Sequence, residues 1–196
     1  YKTGMTFAHQ SIKSSFPIFA HKPGLVYLDN AATTQKPESV IQTITDFYTK
    51  ENANIHRGLY ELSAKATLRY EEVRKKVASL IGASDGQSIA FTKGTTESIN
   101  IVAQSFLKKK LRQGDNVVIS AMEHHANLIP WQQLCEQQQA TLQIIPINSE
   151  GELRMEKMDS LLNTRTRLVA ITHISNVLGT INPIDEIVSL AHAKDI

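Results

Sequence analysis

Ile89-Ala90-Phe91-Thr92-Lys93-Gly94-Thr95-Thr96-Glu97-Ser98 reads as a short apolar strand passing through one glycine into two hydroxyl-bearing residues at a helix start. That transition sets the reading of the fold. A glycine gives the turn conformational freedom, the first helical N–H groups lack intrahelical partners and carry the positive dipole end, and Thr95 and Thr96 add two O–H donors. The combination suits a phosphate. The same residues also describe an ordinary strand-to-helix turn capped by threonine. Glu97 fits the ordinary turn, because its carboxylate favours the dipole but repels a phosphate unless it points away or meets a cation.

Downstream of this stretch, short apolar runs alternate with helical patterns. Strands are predicted at 88–92, 116–120, 142–146 and 167–173. Between them, helices are marked by Ile99, Val102, Ala103 and Phe106, by the face shared by Leu128, Trp131 and Cys135, and by 155–162. This rhythm predicts βαβ units, hence an α/β fold with a mainly parallel sheet covered on both faces. A last helix is predicted with Asn182 as N-cap, Pro183 at its first position, and Asp185 and Glu186 in its first turn. A βαβ unit leads on to a further strand, and none follows, so the sheet is expected to be incomplete at the C-terminus, as in a piece of a longer protein. Upstream, a polar, partly helical segment reaches residue 22, followed by a short strand at 25–29. Val40, Ile41, Ile44, Phe47 and Tyr48 mark a helix with Pro37 near its first turn. A loop at 52–58 precedes a second helix, marked by Tyr70, Val73, Val77, Leu80 and Ile81 and stopped at Gly82.

Composition narrows the function classes. With 196 residues and a formal net charge of +2, the chain has no global basic field of the kind that advertises nucleic acid or an anionic membrane. The one basic run, Lys108 to Lys110 with Arg112, ends a helical pattern, where cations favour the dipole and water. A single cysteine excludes an internal disulfide framework and suits a reducing compartment, so a cytoplasmic location is expected. No run reaches transmembrane length, and the N-terminus lacks an export signal pattern. Cys135 shares a helical face with Leu128 and Trp131 and reads as a small buried residue rather than a nucleophile.

In open α/β sheets, ligands gather outside the carboxyl ends of the strands. Three polar clusters are predicted there: Gly94-Thr95-Thr96, Glu123-His124-His125-Ala126-Asn127, and His173-Ile174-Ser175-Asn176. Their coincidence at one edge points to a shared site. The adjacent histidines do not read as a metal site, because neighbours on extended chain point apart and no further ligand stands at metal spacing. A neutral imidazole stacked on a flat cofactor and exchanging protons is the better functional reading of His124. Asn176 is either a turn residue or an amide donor to an anionic oxygen. In Asn54-Ile55-His56-Arg57-Gly58, Arg57 can grip a carboxylate or phosphate, or form a surface salt bridge.

Five ordered segments carry a family resemblance: Tyr27-Leu-Asp-Asn-Ala-Ala-Thr-Thr-Gln-Lys-Pro37, Asn54-Ile-His-Arg-Gly-Leu-Tyr-Glu-Leu-Ser-Ala64, Phe91-Thr-Lys-Gly-Thr-Thr-Glu97, Gly114-Asp-Asn-Val-Val-Ile-Ser-Ala-Met-Glu-His-His-Ala-Asn127 and Ala170-Ile-Thr-His-Ile-Ser-Asn-Val-Leu-Gly179. Together they resemble the aminotransferase class V group of pyridoxal phosphate (PLP) enzymes, and within it the SufS-type (group II) cysteine desulfurases. The resemblance implies part of a fold type I PLP-dependent transferase, with 1–22 associated with a small domain and 23–196 forming an incomplete PLP-binding large domain. It implies that Thr95 and Thr96 hold the PLP phosphate, that His124 stacks on the pyridine ring and shuttles protons, and that Asn176 bonds the ring hydroxyl or nearby substrate carboxylate. Ala31 and Ala32 would line the substrate pocket, and His56 and Arg57 would lie near the partner's active site in a homodimer. The implied reaction converts L-cysteine to L-alanine, passing sulfur as a persulfide to an acceptor protein of SufE or SufU type for iron–sulfur assembly. The family's Schiff-base lysine, pyridine-nitrogen acid and catalytic cysteine match no position here. Selenocysteine lyase shares the matched positions, and a non-catalytic phosphate-binding α/β module is the reading from another class.

Overall fold

A computed structural model describes residues 9–196, and two compact units divide the chain between Ala90 and Phe91. Of the polar segment expected to reach residue 22, residues 1–8 lie outside the described residues. The rest forms two short helices, α1 (His9–Ser14) and α2 (Pro17–His21), the second opened by proline at its first position.

The first unit is otherwise built on α3 (Glu38–Asp46) and α4 (Glu61–Ile81). Both form where helical spacing predicted them. A π-helical turn, Phe47–Glu51, extends α3. Gly82 takes the left-handed conformation (φ 70°) after α4, and the next N–H, from Ala83, returns to the Ala78 carbonyl at 2.9 Å. This is the glycine-dependent closure expected of a helix C-terminus.

The strand predicted at 25–29 is absent: Val26 and Leu28 are exposed, and the Tyr27 hydroxyl donates to the Thr33 carbonyl at 2.6 Å across a tight turn. The strand predicted at 88–92 is absent too. Asp85 caps a 3-10 turn (Gly86–Ser88), and the Ile89 and Gln87 carbonyls accept from the Arg74 guanidinium at 3.1 and 3.3 Å. Arg74 in turn pairs with Glu71 at 3.1 and 3.2 Å. A strand needs a neighbouring strand to pair with; here α4's side chains take the backbone's hydrogen bonds instead.

The second unit holds a parallel sheet of three strands, β1 (Asn116–Ser120), β2 (Thr141–Ile145) and β3 (Thr166–Ala170), in the order β2-β1-β3. β1 matches the prediction residue for residue, whereas β2 is shifted by one and β3 stops three residues early. All five β1 residues are buried, as a central parallel strand requires. Its side chains alternate between two cores. Val117 and Ile119 pack with Ala103, Leu107, Trp131, Leu134 and Cys135, while Val118 packs with Met122, Ile145, Met158, Leu162 and Ile187. The first core lies under α5 (Thr95–Ile101), its π-helical continuation Val102–Phe106, and α6 (Ile129–Gln138). The second lies under α7 (Met155–Leu161) and α8 (Ile184–His192). Cys135 is a core residue, as expected, with burial pushing its thiol up to about 11.

Asn182 does not cap the last helix. Pro183 occupies the cap position, and the buried Asn182 amide instead donates inward to the Thr172 carbonyl at 2.7 Å. An amide buried beside a free carbonyl does more there than at a solvent-facing cap.

One buried charge binds the start of the sheet. The Asp115 carboxylate accepts two hydrogen bonds from Arg167 (2.9 and 3.0 Å) and one from the Arg112 N–H (3.0 Å). The Arg167 bonds, helped by the Arg112 N–H and opposed by burial, hold this carboxyl below the usual carboxylate range. Such a group contributes stability that is present above its unfolded pKa of about 3.9 and lost as pH falls through the lower folded value. The urea midpoint should therefore drop as pH falls below about 4. Asp115→Asn should lower the midpoint at neutral pH and flatten that acid decline; an unchanged acid decline in the variant would assign it to other carboxyls.

Candidate functional site

The first hydrogen bond of α5 runs from the Ser98 N–H to the Gly94 carbonyl at 3.1 Å, so the N–H groups of residues 95–97 precede the helical ladder. Gly94 is not required by the turn itself. Its backbone is extended (φ 162°, ψ 175°), a conformation any residue adopts, and an added Cβ would meet nothing within 4 Å. What the missing side chain provides is open space at the helix start. Thr95 and Thr96 are exposed, and neither hydroxyl has a hydrogen-bond partner among the described residues. The Glu97 carboxylate is committed elsewhere, accepting from the Lys93 N–H at 2.6 Å, one residue before the cap. Thr92 and Ser98 join hydroxyls at 2.8 Å and pin the entering chain to the first turn.

The second cluster follows β1. His124 opens a 3-10 turn, His125–Asn127, and its Nδ1 accepts the Ala126 N–H at 3.1 Å. With Nδ1 an acceptor, the neutral ring carries its proton on Nε2. The exposed His124 and His125 rings lie 6.1 Å apart and tilted by 60°. Helix α5 packs against the 125–127 turn, which brings the threonines and the imidazole into one region.

The Glu123 carboxylate joins that turn to the end of β3. Oε1 accepts from the Ser120 hydroxyl at 2.5 Å and the Thr172 N–H at 2.8 Å; Oε2 accepts from the Asn127 amide at 2.7 Å. Asn127 Oδ1 in turn accepts the Trp131 indole N–H at 2.9 Å. Beyond the end of β3, the Thr172 N–H therefore goes to Glu123 rather than to a strand. Four residues on, Asn176 sits exposed in a loop closed by the Ile174–Ile181 bridge, the Gly179 N–H to Ser175 carbonyl bond at 2.9 Å, and the Leu178 N–H to Ser175 Oγ bond at 3.1 Å. Reading by cluster missed the role of Glu123. Its signal was a carboxylate flanked at −3 and +4 by the donors Ser120 and Asn127.

Ala31, Ala32, His56 and Arg57 belong to the first unit. Ala31 and Ala32 are exposed in a turn in which the Ala32 and Thr33 N–H groups both reach the Asp29 carbonyl at 3.2 Å. His56 stands at φ 67° with the Arg57 N–H bonded to the Ile55 carbonyl at 2.9 Å, a tight turn strained for a residue with a Cβ. The loop is held against α4 by the His56 N–H to Thr67 Oγ1 bond (2.9 Å) and the Ser63 hydroxyl to Asn54 carbonyl bond (2.6 Å). Gly58 permits that approach, since a Cβ there would lie 2.3 Å from Ser63 Oγ. The His56 Nε2 lies 3.7 Å from Glu71. The Arg57 guanidinium is exposed and has no partner among the described residues.

The chain that carries this helix start, imidazole and amide is similar to known proteins. The family model described as aminotransferase class-V matches residues 26–196. A cysteine desulfurase of Enterobacter sp. (strain 638) is 48% identical over 191 residues, covering 96% of this chain and 47% of that protein. One from Cronobacter sakazakii is 48% identical over 195 residues, covering 98% and 48%. Among solved structures, the apo cysteine desulfurase of Thermococcus onnurineus NA1 aligns with TM-score 0.90 and 35% identity, covering 99% of this chain and 47% of that one. The cysteine desulfurase CsdA of Escherichia coli aligns with TM-score 0.84 and 36% identity, covering 97% and 47%. The chain thus spans about half the length of the curated relatives it matches. With a family match running from just before the Ala31–Ala32 turn through the whole of the second unit, the chain belongs to the aminotransferase class-V family.

Proposed function

We propose that this chain is the N-terminal half of a PLP-dependent cysteine desulfurase, which converts L-cysteine to L-alanine and passes the sulfur as a persulfide to an acceptor protein. The observation that carries the reading is the open start of α5, with two hydroxyls that have no partner among the described residues, packed against the turn that presents His124. The fit to the cofactor is chemical: N–H and O–H donors with no side chain at Gly94 suit a phosphate dianion, and the Glu97 carboxylate accepts from the Lys93 N–H. Identity near half with proteins named cysteine desulfurase supports the substrate.

When bound, the cofactor supplies an electron sink for bonds at the substrate α-carbon. Thr95 and Thr96 donate their hydroxyls to its phosphate, and the N–H groups of residues 95–97 add the positive end of the helix. His124 presents its ring to the cofactor and holds its exchangeable proton at Nε2. Asn176 donates its amide to the ring hydroxyl or the substrate carboxylate. Ala31 and Ala32 leave room for the substrate. His56 and Arg57 serve the partner's site in a homodimer, where the exposed guanidinium of Arg57 can take a carboxylate in bidentate fashion. Cys135, buried with its thiol raised to about 11, is not the sulfur-accepting nucleophile. The same reading groups 1–22 with a small domain and 23–196 with the large one, and takes a SufE- or SufU-type acceptor, iron–sulfur assembly and a cytoplasmic location as its setting. None of the described helices is long and apolar enough to cross a membrane.

Full-length protein mixed with PLP should develop visible absorbance, fix the cofactor to a lysine on borohydride treatment, and release alanine from L-cysteine. Protein that binds no PLP under these conditions would overturn the proposal.

A further inference from the structure

We propose that Glu123 is a positioning residue, a carboxylate tether that holds the His124 turn and the loop carrying Asn176 in fixed register at the sheet edge. Its three partners all donate: the Ser120 hydroxyl from the end of β1, the Thr172 N–H beyond β3, and the Asn127 amide from the turn beside His124. The chain of bonds continues at both ends. The Asn127 side-chain Oδ1 receives the Trp131 indole N–H, and the Thr172 backbone carbonyl receives the Asn182 amide. Thr172 is thus held through both its N–H and its carbonyl, four residues before Asn176. His124 is held between Glu123 and Asn127, which bond to each other across it.

Only a carboxylate satisfies this arrangement, because it alone offers two acceptor oxygens and no donor. A glutamine at 123 keeps the oxygen facing Ser120 and Thr172 but turns an NH2 group toward the Asn127 NH2. Rotating the Asn127 amide relieves that clash and creates another, donor against donor, at the Trp131 indole. An aspartate at 127 would accept from both. The negative charge can therefore be moved from 123 to 127 with every donor still paired, whereas Asn127→Asp alone sets two carboxylates against each other. Paired and unpaired networks of this kind differ sharply when half-buried.

What the tethered residues face rests on the cofactor reading, but the tether itself is testable without cofactor. In cofactor-free full-length protein, Glu123→Gln should shift the indole N–H resonance of Trp131, the one tryptophan of this chain, and speed amide exchange at Thr172. The double variant Glu123→Gln/Asn127→Asp should recover both and melt higher than either single variant, so the comparison survives if one single variant folds poorly. With PLP bound, Glu123→Gln should weaken the visible circular dichroism of the cofactor and lower kcat about 10- to 100-fold, with KM changed by about twofold or less, as expected for misplaced rather than missing groups. The double variant should regain most of both. A Glu123→Gln protein with wild-type indole resonance and Thr172 exchange would overturn the proposal, as would a double variant no better than the worse single one. If wild-type protein binds no PLP, the cofactor reading falls, and the tether is decided by the indole and exchange measurements alone.

Discussion

Replacing both Thr95 and Thr96 with alanine should strip the protein of most of its affinity for PLP. A hydrogen bond to a charged group contributes about 1.5–3 kcal/mol, so two lost hydroxyl donors remove about 3 kcal/mol or more. At about 1.4 kcal/mol per tenfold, the dissociation constant rises at least about 100-fold. Binding would not vanish, because the N–H groups of the first turn remain. The fold should be indifferent, since neither hydroxyl is bonded within the described residues and the α5 cap rests on the Gly94 carbonyl and Glu97. Cofactor retained after dialysis, measured by its visible absorbance, gives the answer. Serine at both positions keeps the donors and should retain PLP near the wild-type level. Undiminished retention in the double alanine variant would remove the phosphate from this helix start.

The largest stability effect should come from the middle of α6. Leu134 is fully buried and packs in the core formed by Val117, Ile119, Leu107 and Trp131. Truncation to alanine loses the transfer energy of the side chain and leaves a cavity beneath the central strand, at about 2–5 kcal/mol. For a chain of this size that is roughly 5–15 °C in melting temperature. Calorimetry or urea unfolding followed by Trp131 fluorescence reads it directly. A loss under about 1 kcal/mol would mean that α6 is not clamped on the sheet as described.

These two sites also show how far the sequence could be read. The Val-Val-Ile run of β1, apolar on both faces and bounded by Asn116 and Ser120, predicts its strand without error because a central parallel strand writes its burial into consecutive residues. The helical faces of α4 and α6 are legible for the same local reason, periodicity, and Gly82 marks its own stop. The strands predicted at 88–92 and 25–29 fail because sheet membership is decided by a neighbour elsewhere in the chain, and an apolar run cannot say whether that neighbour exists. Arg74, fifteen residues before Ile89, was already placed to take its carbonyl. The same nonlocality ended β3 where its pairing with β1 ends and turned Asn182 inward, against strong local signals for a longer strand and a helix cap. Site residues were easier to list than to join. The candidates Thr95, His124 and Asn176 stand out by their chemistry near a helix start and beyond predicted strands, but Glu123, which joins the surroundings of the latter two, looks in sequence like one more polar neighbour of a histidine pair.

The sealed position of Cys135 has a practical consequence for any experiment that labels thiols of this protein. Under the desulfurase function proposed above, sulfur would be released beside the protein's own thiols, and an exposed thiolate would collect sulfane atoms meant for the acceptor. The thiol of this chain is walled in by Trp131, Leu134 and Val117 and stays protonated at working pH. A mass increment on the peptide containing residue 135 would therefore report opened or damaged molecules in the sample.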